Sequence, residues 1–345
     1  MDAQVLINGR ALGRRITGVE RYTREVSARL GIPLRTAGNH APQGFRGQIW
    51  EQVFLPQQIS KHEILWSPAN SGPLAVSRQV LTIHDLSVVD HPEWFNPRFA
   101  IWYRWLLPRL AHRVKLIITD SLYSKIRISR AFRISADKIH VVPCGVDAEK
   151  FYPRPDVERA RLRRKYSLPP AYMLFVGTLE PRKNLPTLVH AWAQVFREVR
   201  PVHLVIAGGP GDAFRRLSHL EAPADGVLQV GYVSDADLPA LYSAALGFVM
   251  PSLYEGFGLP ILEAMACGTP VIAGRAAALP EVVGEAGLLI DPLSVPDLAA
   301  ALRCLVQDDE LRRDLARKGY ERSRLYTWDR SARLVRQALQ QAGAA

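Results

Sequence analysis

Apolar positions along this chain fall in short unbroken runs rather than in strict alternation. In the first part these are VLING (5–9), VLTIHD (80–85), LIITDS (116–121) and IHVVP (139–143). After a gap come YMLFVG (172–177), HLVIAGG (203–209), LQVGYV (228–233), GFVMPS (247–252), PVIAG (270–274) and GLLIDP (287–292). Continuous runs of this length predict strands covered on both faces, as in a parallel sheet. Most are separated by helical stretches, for instance LPTLVHAWAQVFREV (185–199). Strands alternating with helices predict two doubly wound α/β units. The interval YPRPDVERARLRRKYSLPPA (152–171) is rich in proline and charge, lacks strand character and reads as a linker. The last segment, TWDRSARLVRQALQQAG (327–343), reads as an amphipathic helix that crosses back to the first domain. The expected organisation is a first Rossmann-like domain over 1–155 plus 327–345 and a second over 165–326.

Length agrees, because 345 residues exceed the ~250–300 at which single cores stop growing. The sequence has no apolar run of about 18 residues, so no spanning helix is expected. The opening MDAQVLINGRALGRR does not resemble a secretory signal, which predicts a cytoplasmic protein. Cys144, Cys267 and Cys304 are scattered without a C-x-x-C pair; this suits a reducing compartment and argues against a zinc site. A net charge of +11 points to an anionic partner: nucleic acid, a phosphorylated ligand or an anionic membrane.

Candidate chemistry concentrates in YEGFGLPILEAMACGTPVI (254–272). Pro260 suits the first turn of a helix, where its missing N–H costs nothing, and Gly268 with Pro270 stops that helix. Gly256-Phe257-Gly258-Leu259 is then a strand-to-helix turn at the carboxyl edge of a parallel sheet, where α/β folds bind ligands. Free backbone N–H groups and the helix dipole suit a phosphate there. Glu255 and Glu263 bracket the turn, and each carboxylate accepts hydrogen bonds from hydroxyls. A ligand with a central diphosphate and a polyol at each end fits, which describes a sugar nucleotide. The plainer alternative leaves Glu263 complementing the helix dipole and Glu255 as a solvated loop residue.

Other stretches add to this. In VGTLEPRKNLPTLVHAW (176–192) a strand ends at Gly177, and Arg182 and Lys183 precede a helix whose dipole disfavours cations, so an anionic compensator is expected. INGRALGRRITGVERYTREVSARL (7–29) carries Gly13 and Gly18 in a strand-to-helix loop. In LTIHDLSVVDHP (81–92), His84 and Asp85 end a strand.

Segment 254–272 resembles the E-seven-residues-E signature of retaining family-4 glycosyltransferases, which adopt the two-domain GT-B fold with parallel sheets facing across a cleft. The resemblance implies that Glu255 contacts the donor sugar, that Glu263 contacts the ribose, and that Phe257, Gly258 and Leu259 hold sugar and diphosphate through their amides. It further implies that Lys183 neutralises the donor phosphates, that Gly18 approaches them, and that His84 faces the sugar, with Asp85 orienting the imidazole or contacting the acceptor. Many members carry Arg after the strand glycine; Thr178 stands here, which shifts that role to Arg182. Thr17-Gly18 stands where many members have Gly-Gly, and Cys144 in VVPCGVD replaces a usual Asn.

Two motifs carry less than they first suggest. Asp235-Ala236-Asp237 mimics a D-x-D metal site but reads as a helix start, with Ser234 or Asp235 as the cap. The Gly208-Gly209-Pro210-Gly211 loop lacks dinucleotide spacing and reads as a border of the nucleotide pocket. No metal and no separate cofactor are therefore expected. Charge is uneven: ten cations and two aspartates lie between Arg98 and Lys138, with Trp102, Tyr103 and Trp105 among them. Cations with interfacial aromatics suit an anionic bilayer. A nucleic-acid partner is disfavoured because paired glutamates would repel a polyanion. The expected activity is retaining, metal-independent hexosyl transfer from a sugar nucleotide, GDP-mannose first, to a lipid-linked or glycan acceptor. The pattern resembles bacterial mannosyltransferases of surface polysaccharide synthesis. Alternatives are another sugar nucleotide, a same-fold epimerase or phosphorylase, or a non-catalytic binder of membrane or nucleic acid.

Overall fold

The computed structural model describes residues 5–12, 18–42, 44–199, 201–209 and 225–344. The chain divides into two compact units, one of Met1–Pro92, Pro97–Gly145 and Trp328–Ala345, the other of Glu93–Asn96 and Val146–Thr327. Each is built on a six-stranded sheet whose pairings are all parallel.

The first sheet contains β1 (Val5–Asn8), β2 (Leu34–Ala37), β3 (Ile64–Ser67), β4 (Gln79–Thr82), β5 (Leu116–Thr119) and β6 (Ile139–Val141), in the order β2-β1-β3-β4-β5-β6. β2 and β3 escape the hydrophobic pattern: LRTA is a largely exposed edge strand, and ILWS is short and follows charged residues. The C-terminal helix Trp328–Ala344 packs on β3, β4 and β5 of this unit. Its buried Trp328, Ala332, Val335, Leu339 and Ala342 recur every three or four residues, which places them on one face. Ser331 Oγ donates to the Pro143 carbonyl at 2.6 Å, pinning the helix to the strand region it covers.

The second sheet contains β7 (Tyr172–Val176), β8 (His203–Ala207), β9 (Val227–Gly231), β10 (Gly247–Met250), β11 (Val271–Gly274) and β12 (Gly287–Ile290), in the order β12-β11-β10-β7-β8-β9. Read from β9, this is the doubly wound order in which the winding reverses between β7 and β10, and ligands bind outside the carboxyl ends at such a reversal. Leu185, Leu188, Trp192 and Val195 of helix Leu185–Val195 cover Met173, Phe175 and Leu204 on one face. The stretch 152–171, expected as a linker, lies inside this unit and forms helix Asp156–Lys165, held partly by Asp237, which accepts from Lys165 Nζ and Tyr166 Oη. No helix among the described residues is long and apolar enough to cross a membrane.

Candidate active site

The loops after β7 and β10 converge at the reversal point of the second sheet. Beyond β7, Pro181 opens a single 3-10 turn, Pro181–Lys183, and Asn184 closes it with φ of 58°. Asn184 Nδ2 donates to the carbonyls of Pro251 (3.2 Å) and Pro292 (2.6 Å), and its Oδ1 accepts from Thr187 Oγ1 at 2.7 Å. One asparagine thus ties the basic turn to the loops after β10 and β12. The Leu253 N–H donates to the Arg182 carbonyl at 2.8 Å and completes the tie.

On this frame the charged side chains meet. Lys183 Nζ lies 2.5 Å from Glu255 Oε1, and Arg182 Nη1 lies 3.0 Å from Glu255 Oε2. Arg182 Nε also pairs with Glu180. Glu180, Lys183 and Glu255 are buried, at 1%, 6% and 5% exposure. The anionic compensator expected for the adjacent cations is thus supplied within the chain by two carboxylates. Burial pushes the Glu255 carboxyl up, but Arg182 and Lys183 outweigh it and hold the group below its ordinary range. Glu180 behaves oppositely: burial prevails over the two cations and its pKa is raised.

After β10, Gly258 takes φ of 106° directly before helix Leu259–Ala266, with Pro260 in the first turn. A side chain there would meet Leu279 Cδ2 at 2.8 Å, so both conformation and packing require glycine. Gly256 and Phe257 are buried, Phe257 edge-on to Tyr326. Glu263 faces inward from the helix, and its Oε2 accepts from Tyr242 Oη at 2.9 Å. Gly208 approaches so closely that a Cβ would stand 1.8 Å from the Gly177 carbonyl, which fixes the carboxyl ends of β7 and β8 together. Pro210 and Gly211 lie outside the described residues, as do Gly13 and Thr17; Gly18 is exposed at the start of helix Gly18–Arg29.

In the first unit His84 is buried, and both its ring nitrogens face oxygen acceptors. Nδ1 is 2.7 Å from Asp120 Oδ2 and Nε2 is 2.9 Å from the Pro68 carbonyl. A carbonyl oxygen can only accept, so Nε2 donates to Pro68. Burial pushes the His84 pKa down, yet Asp120 and the Pro68 carbonyl more than reverse it. The imidazole is thus engaged at both ends within its own unit, and the Asn70 Oδ1 acceptor on the His84 N–H secures the adjoining loop. Asp85 does not orient the ring: its Oδ1 accepts from the N–H and Oγ of Ser87 at the start of helix Ser87–Asp90. Asp120, the true partner, sits at the carboxyl end of β5. Cys144 is buried beside it, and burial, with Asp120 close by, raises the thiol pKa.

Asp235 and Asp237 pair with Lys150 (3.5 Å) and Lys165 (2.5 Å). The cap position expected at Ser234 or Asp235 falls instead to Asp237, which precedes helix Leu238–Ser243 without a side-chain cap bond and accepts from Ser234 Oγ at 2.7 Å. No cluster of three or more metal-ligating side chains exists among the described residues.

Residues 158–322 match the family "Glycosyl transferases group 1", and residues 60–150 match "Glycosyltransferase Family 4". The chain is also 37% identical to O-antigen chain mannosyltransferase B of Escherichia coli, over 74% of its own length and 68% of that protein. It is a group 1 glycosyltransferase. Another relative, the serotype-specific mannosyltransferase WbdA of E. coli, is 30% identical over 78% of this chain, which spans only 34% of that protein. Among solved structures, HepE of Anabaena with UDP-glucose superposes with a TM-score of 0.75 at 18% identity, covering 98% of this chain and 99% of that one. The two doubly wound units are therefore those of the GT-B fold.

Proposed function

We propose that this glycosyltransferase moves a hexose, mannose first, from a nucleoside diphosphate sugar to a hydroxyl of a lipid-linked or polysaccharide acceptor, with retention and without a metal. The observation that carries the reading is the meeting of Lys183, Arg182 and Glu255 at the reversal point between β7 and β10, beside the N-terminus of helix Leu259–Ala266. The relatives' names support mannose and surface-polysaccharide synthesis; HepE, solved with UDP-glucose, keeps a UDP-sugar as the second donor reading.

In this mechanism the bond between the anomeric carbon and the phosphate oxygen breaks, and its electron pair leaves with the nucleoside diphosphate. The acceptor oxygen bonds to the same carbon and passes its proton to the departing diphosphate oxygen. Lys183, Arg182 and the amides of Gly258 and Leu259 stabilise the charge growing on the leaving diphosphate. Glu255 accepts from sugar hydroxyls and Glu263 from the ribose. His84 holds the 68–70 loop instead of exchanging protons. Because the cations replace a divalent ion, transfer should continue at full rate in excess chelator. Loss of activity in chelator, restored by manganese, would return Asp235 and Asp237 to consideration.

The same reading places the first unit on anionic membrane. Helix Pro97–Arg113 exposes Ile101 and Trp105, with Arg109 over the Trp105 ring at 4.5 Å, while Tyr103 is core. Gln48 donates to Tyr103 Oη at 3.3 Å, tying in a second helical stretch that exposes Phe45, Ile49 and Val53. Apolar anchors beside cations suit a charged bilayer, each cation contributing about 1 kcal/mol near the surface. Sedimentation with anionic vesicles should be salt-sensitive, and charge reversal at Arg104, Arg109 and Arg113 should abolish it. Binding indifferent to salt and lipid charge would refute the docking.

A further inference from the structure

The ion cluster at the donor site contains one carboxylate that hexosyl transfer does not use. Glu180 lies at the start of the 3-10 turn, 1% exposed, its carboxylate on Arg182 Nε. Among the described residues, the charged side chains in this ion-paired cluster are Glu180, Arg182, Lys183 and Glu255, two of each sign. A sugar nucleotide brings two negative charges that do not titrate near neutrality. Drawing Arg182 and Lys183 onto those phosphates strips both buried carboxylates of their counter-charge. Glu255 gains sugar hydroxyls in exchange. Glu180 has nothing comparable: it is buried behind Arg182, and an ionised carboxylate left there without its cation is costly.

We propose that Glu180 is a positioning residue for Arg182 that takes up a proton from solvent when a sugar nucleotide binds. This rests on the donor-site reading above. In the unliganded protein Glu180 orients the guanidinium through Nε, leaving Nη1 for Glu255. On binding, the carboxylate becomes neutral and keeps a hydrogen bond to Arg182 while the cation's charge serves the phosphates. Burial already raises the Glu180 pKa in the unliganded site, and the incoming negative charge acts in the same direction. The sign follows: a carboxyl whose pKa is higher in the complex makes binding stronger at lower pH, between the free and bound pKa values. With one proton taken up, affinity falls by at most about tenfold for each pH unit of increase in that window.

Calorimetric titration of the whole protein with GDP-mannose, in buffers of different ionisation enthalpy, tests this. The expected result is net uptake of up to one proton at neutral pH, absent in Glu180→Gln, with the variant binding at least as tightly and without the pH slope. Binding by the wild type with no proton exchange overturns the proposal while leaving the donor site intact. Uptake undiminished in Glu180→Gln, or weaker binding by that variant, also overturns it. Failure of the wild type to bind GDP-mannose or a UDP-sugar instead removes the donor-site reading itself, and this proposal with it. If Glu180→Gln does not fold, the wild-type buffer comparison decides alone.

Discussion

Lys183→Ala should lower kcat/KM for sugar transfer by about 10³-fold, the size expected when a preorganised charge facing the departing oxyanion is removed. The ammonium is buried and 2.5 Å from Glu255, in a site sheltered from water, where its field is least screened. Deletion does two things. It removes positive charge from the diphosphate, and it leaves Glu255 with Arg182 as its remaining cation of the two. Arg182→Ala should be milder, because that side chain is shared between Glu180 and Glu255 and is more exposed. Lys183→Arg should not restore activity fully, since a planar fork does not reproduce a point charge in a packed site. Steady-state kinetics with a folded variant, confirmed by its unfolding curve, provides the check. A Lys183→Ala protein retaining more than about a tenth of wild-type kcat/KM would be incompatible with a loss of this size.

Glu255→Ala and Glu263→Ala should fail in different ways. Glu255 is assigned to the donor sugar in the proposed function, so its loss should depress kcat by ~10²-fold or more while free nucleoside diphosphate still binds. Glu263 lies one turn into helix Leu259–Ala266, oriented by Tyr242, and is assigned to the ribose. Its loss should weaken nucleoside diphosphate and sugar nucleotide alike, raising KM with a smaller change in kcat. Tyr242→Phe should show a weaker version of the Glu263 phenotype, because it removes one hydrogen bond from the carboxylate and keeps the group. Full turnover in Glu255→Ala would mean that the sugar is held elsewhere.

How much of this was readable in advance follows from what each signal is made of. Ten of the twelve strands among the described residues appear in the sequence as unbroken apolar runs, the pattern of strands covered on both faces. β2 is missed because an edge strand pairs on one side only, and its LRTA needs little apolar character. The phosphate-type turn at Gly258 was legible from glycine and proline placement, which are local properties. Pairings were not. Lys183 and Glu255 stand 72 positions apart, and nothing local says that the carboxylate neutralises the lysine. Asp120 as the partner of His84 went unrecognised, since Asp85 is adjacent in sequence while Asp120 is adjacent only through the β4–β5 pairing. Tyr242, 21 positions from Glu263, is hidden for the same reason, whereas Glu180 is local, and an acid two residues before an Arg in the turn after a strand is a usable hint.

In the proposed function the second unit holds a sugar nucleotide through Lys183, Arg182 and the turn at Gly258. Thermal unfolding of the wild type and of Lys183→Ala, with GDP-mannose and with UDP-, ADP- and dTDP-sugars in excess chelator, measures it most directly. At ~100 times its dissociation constant the true donor adds about 2.7 kcal/mol of stability to the wild type. A clear rise in Tm with GDP-mannose, lost in Lys183→Ala, is expected; a wild-type Tm unmoved by every sugar nucleotide in the panel would rule out this donor site.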